Sequence, residues 1–402
     1  MADGASEVSM AATWFLAQQQ TVLAALPSRW VRPAIYDVTR FPYNAAGDGA
    51  SDDAPAIQAA INDAAAAGGG IVYLPAGRYL LGTVREQSGI RYYILNYLSG
   101  VSLVGAGADR TILVAGAGLP DQTRIISADS TDGQSRVSYV AFKDFSLDGQ
   151  SWLQPDARSC VGISNVFTEH VDHVRVRMVG VKGLPNAEVA AFDSYASTDH
   201  MYRGCEVLPS PAAPTGSGFS ATDSTRIVYE DCRSGGSGYW QGFTTYMSRQ
   251  IEYHRCHGYG NRQRGLNCEV SQDVRYVDCQ AGGNGIGNRG EGINVFRSQN
   301  VEVTDCHSIG NLRGILNQGS TLRIVRGQFV GNRGAGVACE SADDWANTSI
   351  QGKISLSPNG FGPIAVAGRP QEWAYGQTTV GLDLPVTPAR PELTPLSRHR
   401  VI

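Results

Sequence analysis

A repeat of 23 to 27 residues runs through the second half of the chain and constrains its fold more than any other feature. Five cysteines mark the repeat, separated in turn by 27, 24, 23 and 27 residues: Cys205, Cys232, Cys256, Cys279 and Cys306. A large apolar residue stands thirteen positions before each cysteine: Phe192, Phe219, Phe243, Leu266 and Ile293. The units contain stretches of alternating polarity, close with turns rich in Gly and Asn, and lack a helical period. This pattern predicts a β-solenoid in which one repeat forms one coil.

The repeat also predicts which side chains face the interior. Equivalent positions in successive coils should stack about 4.8 Å apart along the axis. The cysteine column is then expected to be an inward ladder of unpaired small residues, because stacked strand side chains rarely meet disulfide geometry. If Phe219 and its equivalents point inward, alternation turns the residues one and three positions later outward.

Three regions are expected along the chain. Residues 1–34 should form a helical cap, with an amphipathic helix over residues 10–26, and residues 35–367 the β-helix. A second helix is expected over residues 53–67, because Pro55 suits a first helical turn and Gly68 follows the last one. Several prolines beyond residue 368 favour an extended tail over residues 368–402 that packs on the body.

The composition argues against several classes of function. The formal net charge of −4 gives no overall attraction to nucleic acid or to an anionic membrane. No run of about 18 apolar residues predicts a membrane-spanning helix. No cofactor is expected, and neither the zinc spacing of Cys and His nor a calcium-binding carboxylate cluster is recognisable. No secretory leader is evident, so the cellular compartment stays open.

Three segments near the amino terminus carry a family resemblance: Gly47-Asp-Gly-Ala-Ser-Asp-Asp53, Ile57-Gln-Ala-Ala-Ile61 and Gly68-Gly-Gly-Ile-Val-Tyr-Leu-Pro-Ala-Gly-Arg-Tyr79. Together they resemble the amino-terminal signature of the pectate-lyase superfamily. The resemblance implies an all-β fold, a right-handed single-stranded parallel β-helix with amino-terminal capping helices. It is less informative about activity, since that superfamily includes lyases, hydrolases, epimerases and phage tailspikes.

Within the superfamily the chain is most similar to bacterial mannuronan C5-epimerases and related lyases, over roughly residues 37–340. The similarity includes Leu147-Asp148-Gly149 and Gly258-Tyr-Gly-Asn-Arg-Gln-Arg-Gly-Leu-Asn267. The family's catalytic strand reads Tyr-Gly-Phe-Asp-Pro-His, whereas the matching strand here has Ser217, Ser220 and Thr222 at its Tyr, Asp and His positions. The resemblance therefore implies a scaffold and a substrate class, but not simple alginate epimerisation.

The outward face of the first strand of each coil is the predicted site. The candidate catalytic residues are Tyr246, Arg264, Glu269 and Glu291. The candidate substrate-binding residues are Asp193, Tyr195, Trp240, Thr244, Asn267, Arg289, Asn294 and Arg313. Arginine can pair bidentately with uronate carboxylates, and aromatic rings can stack on sugar faces.

Three functions fit this face. The first is a polysaccharide lyase or uronate-modifying enzyme, with Arg264 neutralising a carboxylate while Tyr246 and Glu269 move protons. The second is a glycoside hydrolase or transglycosylase that uses Glu269 and Glu291, because hydrolysis needs two carboxyl groups about 5–9.5 Å apart. The third is a non-catalytic carbohydrate-binding or tailspike-like module. The expected partner is a polysaccharide or oligosaccharide, and an oligomer stays open, a trimer being the expectation for a tailspike-like protein.

Overall fold

The structure is a computed structural model that describes residues 34–87, 91–128, 130, 135–186, 189–210, 215–285, 290–356, 358–362, 364–367, 369–370 and 380–381. The predicted amino-terminal cap and most of the predicted tail lie outside these residues. The described body is a right-handed parallel β-helix, so the predicted fold class is confirmed.

Strands make up most of the described chain. The first half contains β1 Ile35–Asp37, β2 Asp48–Asp52, α1 Ala54–Ala66, β3 Gly70–Leu74, β4 Gly77–Leu81, β5 Arg85–Gln87, β6 Arg91–Asn96, β7 Val101–Gly105, β8 Thr111–Ala115, β9 Thr123–Ser127, β10 Val137–Lys143, β11 Ser146–Asp148, a 3₁₀ turn Ser151–Leu153, β12 Cys160–Val166, β13 Thr168–Val174, β14 Arg177–Val179, β15 Ala190–Tyr195, β16 Thr198–Arg203 and β17 Glu206–Leu208.

The second half continues the series of strands. It contains β18 Ser217–Thr222, β19 Thr225–Glu230, β20 Arg233–Gly235, β21 Phe243–Tyr246, β22 Arg249–His254, β23 His257–Tyr259, β24 Leu266–Glu269, β25 Gln272–Val277, β26 Gln280–Gly282, β27 Glu291–Phe296, β28 Gln299–Ile309, β29 Arg313–Gln318, β30 Leu322–Val330, β31 Val337–Cys339, α2 Ala342–Ala346, β32 Thr348–Ser355, β33 Ile364–Val366, β34 Arg369–Pro370 and β35 Val380–Gly381.

Each regular coil contributes one strand to each of three columns. The first strands, from β6 through β9, β12, β15, β18, β21, β24, β27, β29 and β31 to β33, pair in parallel within a 13-stranded sheet, here called the groove sheet. The second column runs through β13, β16, β19, β22 and β25 into β28, and the short third column through β14, β17, β20, β23 and β26 into the same long strand. Parallel pairing in all three columns keeps equivalent residues of successive coils in register.

The interior contains columns of stacked side chains, as the repeat predicts, and in places the stacked residues are identical. Phe192, Phe219 and Phe243 are in register and fully buried, with ring centroids 4.7 Å apart and nearly parallel planes. A second stack, of tyrosines from the second column, lies edge-on to them: Tyr202, Tyr229, Tyr253 and Tyr276. The inward assignment of Phe219 and its equivalents is thereby confirmed.

The cysteine ladder occupies the turn between the second and third columns. All eight cysteines of the chain are buried and free. The thiols of Cys232, Cys256, Cys279 and Cys306 each lie 3.3–3.5 Å from the carbonyl oxygen of a tyrosine in the preceding coil. The ladder is therefore inward and unpaired in the structure, as expected from the constant spacing.

Helix α1 begins one residue later than predicted and ends within one residue of the expected boundary. Its apolar face is buried against the first strands of the body. Asp53 occupies the N-cap position, but its carboxylate accepts hydrogen bonds from the amides of Ala46 and Gly47 rather than from the helix. Asp52 instead accepts from the amide of Ala54. Two glycines with positive φ, Gly68 and Gly69, then end the helix.

Two short pieces beyond the last regular coil run antiparallel to it. Strand β34 pairs with β33, and β35 pairs with β32. These are the described parts of the region predicted to be an extended tail over residues 368–402.

Candidate functional site

The outward face of the groove sheet has two rows of side chains that the strand register fixes. In the first row, Thr244, Asn267 and Asn294 are direct neighbours on successive coils. In the second row, two positions further along the same strands, the neighbours are Tyr246, Glu269 and Phe296. Both rows were predicted from alternation, and the register places their members side by side.

A third row lies at the start of the groove-sheet strands, where the chain enters the sheet. Glu291 is in register with Arg313, and both precede a glycine. At Gly292 a Cβ atom would lie 1.9 Å from the hydroxyl oxygen of Ser308, and at Gly314 it would lie 2.2 Å from the carbonyl oxygen of Gly336. A Cβ atom at either position would clash with these neighbours, so glycine is required at both.

Four charged side chains from these rows join into one continuous cluster, here called the charge chain: Glu269, Arg264, Glu291 and Arg313. The Nη1 atom of Arg264 lies 2.5 Å from Oε1 of Glu269, and its Nε lies 3.2 Å from Oε2 of Glu291. The other oxygen of Glu291 accepts a hydrogen bond of 2.9 Å from Arg313. The charge chain alternates in sign and crosses three coils.

Two asparagines form the floor beneath the charge chain. The Asn267 side chain accepts a hydrogen bond from Arg264 and donates one to Glu269. Asn294 in turn donates to the side-chain oxygen of Asn267 over 2.9 Å. Both amides face outward but are buried under the charged side chains. The charged side chains cover both amides, so a substrate in the groove would contact those charges rather than the two asparagines that were predicted to bind it.

Exposure separates the members of the charge chain. The side chain of Glu291 is only 3% exposed, whereas that of Glu269 is 27% exposed and that of Arg313 is 41% exposed. The phenol ring of Tyr246 lies beside Glu269 on the next strand and is 39% exposed. The groups that a ligand in the groove can touch are therefore Tyr246, Glu269 and Arg313.

The remaining predicted residues are not part of this cluster. Asp193 and Tyr195 belong to the same outward rows but lie three coils before Asn267 and Glu269. Trp240 stands in the loop before β21, where its indole N–H donates to the carbonyl of Leu184. Thr244 is buried in the first row. Arg289 lies outside the described residues.

A cleft of about 510 Å³ opens on the groove sheet directly beyond the charge chain, and sequence reasoning missed it. Its wall includes three charged residues, Arg313, Arg333 and Glu340, and its lining is otherwise mainly aliphatic and aromatic: Leu312, Leu316, Ala335, Ala338, Phe361 and Ala365. The signal in the sequence was the pair Leu316 and Ala338, apolar residues at positions that alternation turns outward. Leu312 and Phe361 lie in turns and carried no such signal.

The histidines of the second column lie away from the groove. His200 is buried in the interior, hydrogen-bonded to the hydroxyls of Thr168 and Ser194. Burial outweighs the nearby charge of Asp199 and lowers the pKa of His200 to about 3. Burial also lowers the pKa of His173, which stacks on Tyr202. Both imidazoles are therefore neutral at ordinary pH.

Two kinds of feature are absent from the described part of the chain. No group of three or more His, Cys, Asp or Glu side chains converges on a point where a metal ion could bind. No described helix has the length and apolar character needed to cross a bilayer.

Comparison with known families gives a match over most of this body. The model of the family described as rhamnogalacturonase A/epimerase, pectate lyase-like, matches residues 41–282. Mannuronan C5-epimerase AlgE3 of Azotobacter vinelandii is 44% identical over 109 residues, and alginate lyase 7 of the same organism is 40% identical over 108 residues. Each match covers 27% of this chain, but only 6% and 12%, respectively, of those relatives.

A solved structure extends the likeness in fold to most of the chain. The A-module of mannuronan C-5 epimerase AlgE4 from Azotobacter vinelandii superposes with a TM-score of 0.60 at 21% identity. The match covers 83% of this chain and 96% of that module. At this identity it supports the β-helix architecture alone.

Proposed function

Since the chain belongs to the rhamnogalacturonase A/epimerase family of pectate lyase-like proteins, we propose that it is a carbohydrate-active enzyme that modifies an anionic polysaccharide by abstracting a proton from a uronate residue. The single observation that carries the proposal is the charge chain, with the exposed Tyr246 beside it. Relatives named for action on mannuronan and on alginate support a polyuronate as substrate.

The exposed groups divide the chemistry among three residues. Arg313 pairs with the carboxylate of the substrate and stabilises the negative charge that develops when the neighbouring C–H bond breaks. Glu269 accepts that proton as the general base. Tyr246 donates its phenolic proton, either to the leaving glycosidic oxygen in elimination or to the opposite face of the same carbon in epimerisation.

For Arg264 we propose a different role from the one expected from the sequence. Three protein oxygens, from Glu269, Glu291 and Asn267, surround its guanidinium, so it is occupied before any substrate arrives. We assign it the task of holding Glu269 in position. The exposed Arg313 is better placed to meet the substrate carboxylate.

Hydrolysis by Glu269 and Glu291 is the second candidate, and the burial of Glu291 disfavours it. Both oxygens of Glu291 are bonded to arginines, and its side chain is almost fully covered. A carboxyl group in that state can neither protonate a leaving group nor activate water in the groove.

The test is a screen of polyuronates and neutral polysaccharides in deuterated water. Unsaturated sugar ends, which elimination forms, or solvent deuterium at C5 of the polymer, which epimerisation introduces, would each support proton abstraction. New reducing ends with neither change would support hydrolysis instead. Binding without any turnover would support a non-catalytic module.

Two variants then locate the chemistry. Glu269→Gln and Arg264→Ala should each lower turnover by at least about a hundredfold, since one removes the base and the other its support. Glu302→Gln is the matched control, because Glu302 pairs with Arg323 on the second column, away from the groove. Full activity of both groove variants would move the search to Asp193 and Tyr195.

A further inference from the structure

The third column of strands carries an apolar row on its outer face, away from the groove sheet. Each coil contributes three residues to this column, so the middle residue points inward and the last one outward. The outward last residues, here called the third-column row, are Val179, Leu208, Gly235, Tyr259, Gly282, Ile309 and Val330. Tyr259 is 39% exposed and Ile309 is 45% exposed. The row is therefore an apolar surface that is open to a partner.

Two glycines give the third-column row its shape. At Gly235 a Cβ atom would lie 2.2 Å from two ring carbons of Tyr259, so this ring leans over the preceding coil. At Gly282, on the following coil, a Cβ atom would approach, among the described atoms, only the carbonyl oxygen of Ile309, at 3.9 Å. Gly282 thus leaves a notch between Tyr259 and Ile309, whose backbones are two coils or about 9.6 Å apart. The row presents one projecting ring and, one coil later, a notch wide enough for a ring.

A ring and a notch one coil apart are complementary to a second copy of themselves. In a pair of copies with antiparallel solenoid axes, a two-fold axis can pass between the coil of Tyr259 and the coil of Gly282. This axis brings the ring of each copy to the notch of the other, as the symmetry of a two-fold interface requires. It also places Leu208 of one copy opposite Val330 of the other, so apolar residues meet on both sides of the centre.

The polar row at the start of the same strands favours the antiparallel arrangement over a parallel one. It contains Arg177, Glu206, Arg233, His257, Gln280, His307 and Gln328. In the antiparallel pair, Arg233 faces His307 and Glu206 faces Gln328. In a parallel pair at equal height, Arg233 would face its own copy, and so would Glu206. Like charges directly opposite each other are destabilising, so the parallel pair is disfavoured.

We propose that the third-column row is a homodimer interface, through which two copies of this chain pack with antiparallel axes. The row spans seven coils, or about 29 Å, and three strand residues span about 10 Å. The resulting flat area of roughly 300 Å² per copy is smaller than the roughly 800 Å² of a standard interface, so the dimer is weak and reversible. The proposal is independent of the proposed function, because the third column and the groove belong to different sheets.

Sedimentation velocity of the full chain, from micromolar to near-millimolar concentration, tests the dimer. The average mass should rise from that of a monomer toward that of a dimer. Tyr259→Ala removes the projecting ring and Gly282→Leu fills the notch, so each should raise the dissociation constant at least about tenfold. Tyr195→Ala is the matched control, because Tyr195 is 43% exposed but lies on the groove sheet. It should associate like the native chain.

A mixture of the two variants tests the antiparallel geometry itself. In a mixed pair, the Tyr259 ring of the Gly282→Leu copy enters the open notch of the Tyr259→Ala copy. At the other contact, the introduced leucine occupies the space that the removed ring has left. The mixture should therefore associate more tightly than either variant alone. In a parallel pair Tyr259 would meet Tyr259, and mixing would restore nothing.

Several results would overturn the proposal. These are a chain that stays monomeric over the whole range, a trimer, or a dimer that both variants leave unchanged. A mixture no tighter than its components would overturn the antiparallel arrangement. Thermal unfolding of each variant separates loss of association from loss of the fold. If Gly282→Leu does not fold, Ile309→Asp places a charge at the edge of the notch and should weaken the dimer in its stead.

Discussion

The inward and outward faces of the groove sheet share one backbone register but use it differently. Inside, Phe192, Phe219 and Phe243 repeat the same ring at the same position, so each coil packs on a copy of itself. Outside, the equivalent row changes from threonine to asparagine to leucine within four strands. Stacking favours the same residue at equivalent positions, whereas a surface that binds a ligand needs different residues at those positions.

Residues on the two faces therefore respond to substitution for different reasons. An inward residue contributes through dispersion and burial, which any coil of the repeat supplies in the same way. An outward charged residue contributes through specific partners on other coils. Substitutions on each face in turn test this contrast.

The largest expected effect on stability is that of an inward ring. Phe219→Ala should lower the free energy of unfolding by roughly 3–5 kcal/mol, because the cavity lies between two stacked rings and cannot collapse freely. Thr222→Ala, three residues along the same strand on the outer face, should change it by less than about 0.5 kcal/mol. Chemical denaturation of both variants measures the difference, and near-equal effects would invert the assignment of the two faces.

The next effect comes from the buried part of the outer face. Glu291→Gln removes the charge that both Arg264 and Arg313 contact, and should lower the free energy of unfolding by roughly 1.5–3 kcal/mol. Glu302→Gln, in a partly exposed pair with Arg323, should lower it by less than about 1 kcal/mol. A cost at Glu291 no larger than at Glu302 would mean that the charge chain is solvated rather than enclosed.

The difference between the faces also explains what the sequence could predict. The constant thirteen-residue offset from apolar residue to cysteine specified the coil, its register and the inward positions. Those features depend on local alternation and repetition, which a single sequence displays. The charge chain depends on how far long side chains reach: Arg264 bonds to Glu291 of the following coil and to Glu269 of its own.

The sequence could therefore assign the candidate residues to one face, but it could not tell which of them a ligand can reach. The sequence placed Tyr246, Arg264, Glu269 and Glu291 together. It could not indicate that Glu291 is covered or that Arg313 is exposed, because burial on the outer face depends on which turns fold over it. The cleft was missed for the same reason, since Leu312 and Phe361 reach it from turns.

Two histidines of the second column differ in burial: His200 is enclosed, whereas His254 is partly exposed. His200 is enclosed and has a pKa of about 3, so the folded chain binds its proton far less readily than the unfolded chain. Above about pH 6.5 this histidine is neutral in both the folded and the unfolded chain. As the pH falls from there toward 3, only the unfolded chain takes up the proton, and the free energy of unfolding decreases.

The expected cost for this one histidine is about 2 kcal/mol on going from pH 7 to pH 5. His200→Gln should reduce the pH dependence of the free energy of unfolding over that range. His254→Gln, at a partly exposed histidine bonded to Glu252, is the matched control for the substitution itself. Denaturation curves at several pH values measure both, and an unchanged slope in the His200 variant would place that ring in contact with water.

The smallest expected effect concerns the cysteine ladder, which packs like the aromatic stack but with little volume. Cys256→Ala should lower the free energy of unfolding by roughly 1 kcal/mol, since a single buried sulfur is lost. Burial raises the pKa of the ladder thiols Cys205 and Cys232, so their thiolates are scarce as well as inaccessible. Without reductant, a thiol reagent should therefore react slowly with the native chain and quickly with all eight cysteines in denaturant. Fewer than eight reactive thiols in denaturant would mean that disulfides cross-link neighbouring coils. Covalent bonds, rather than the stacking seen elsewhere on the inner face, would then stabilise the ladder.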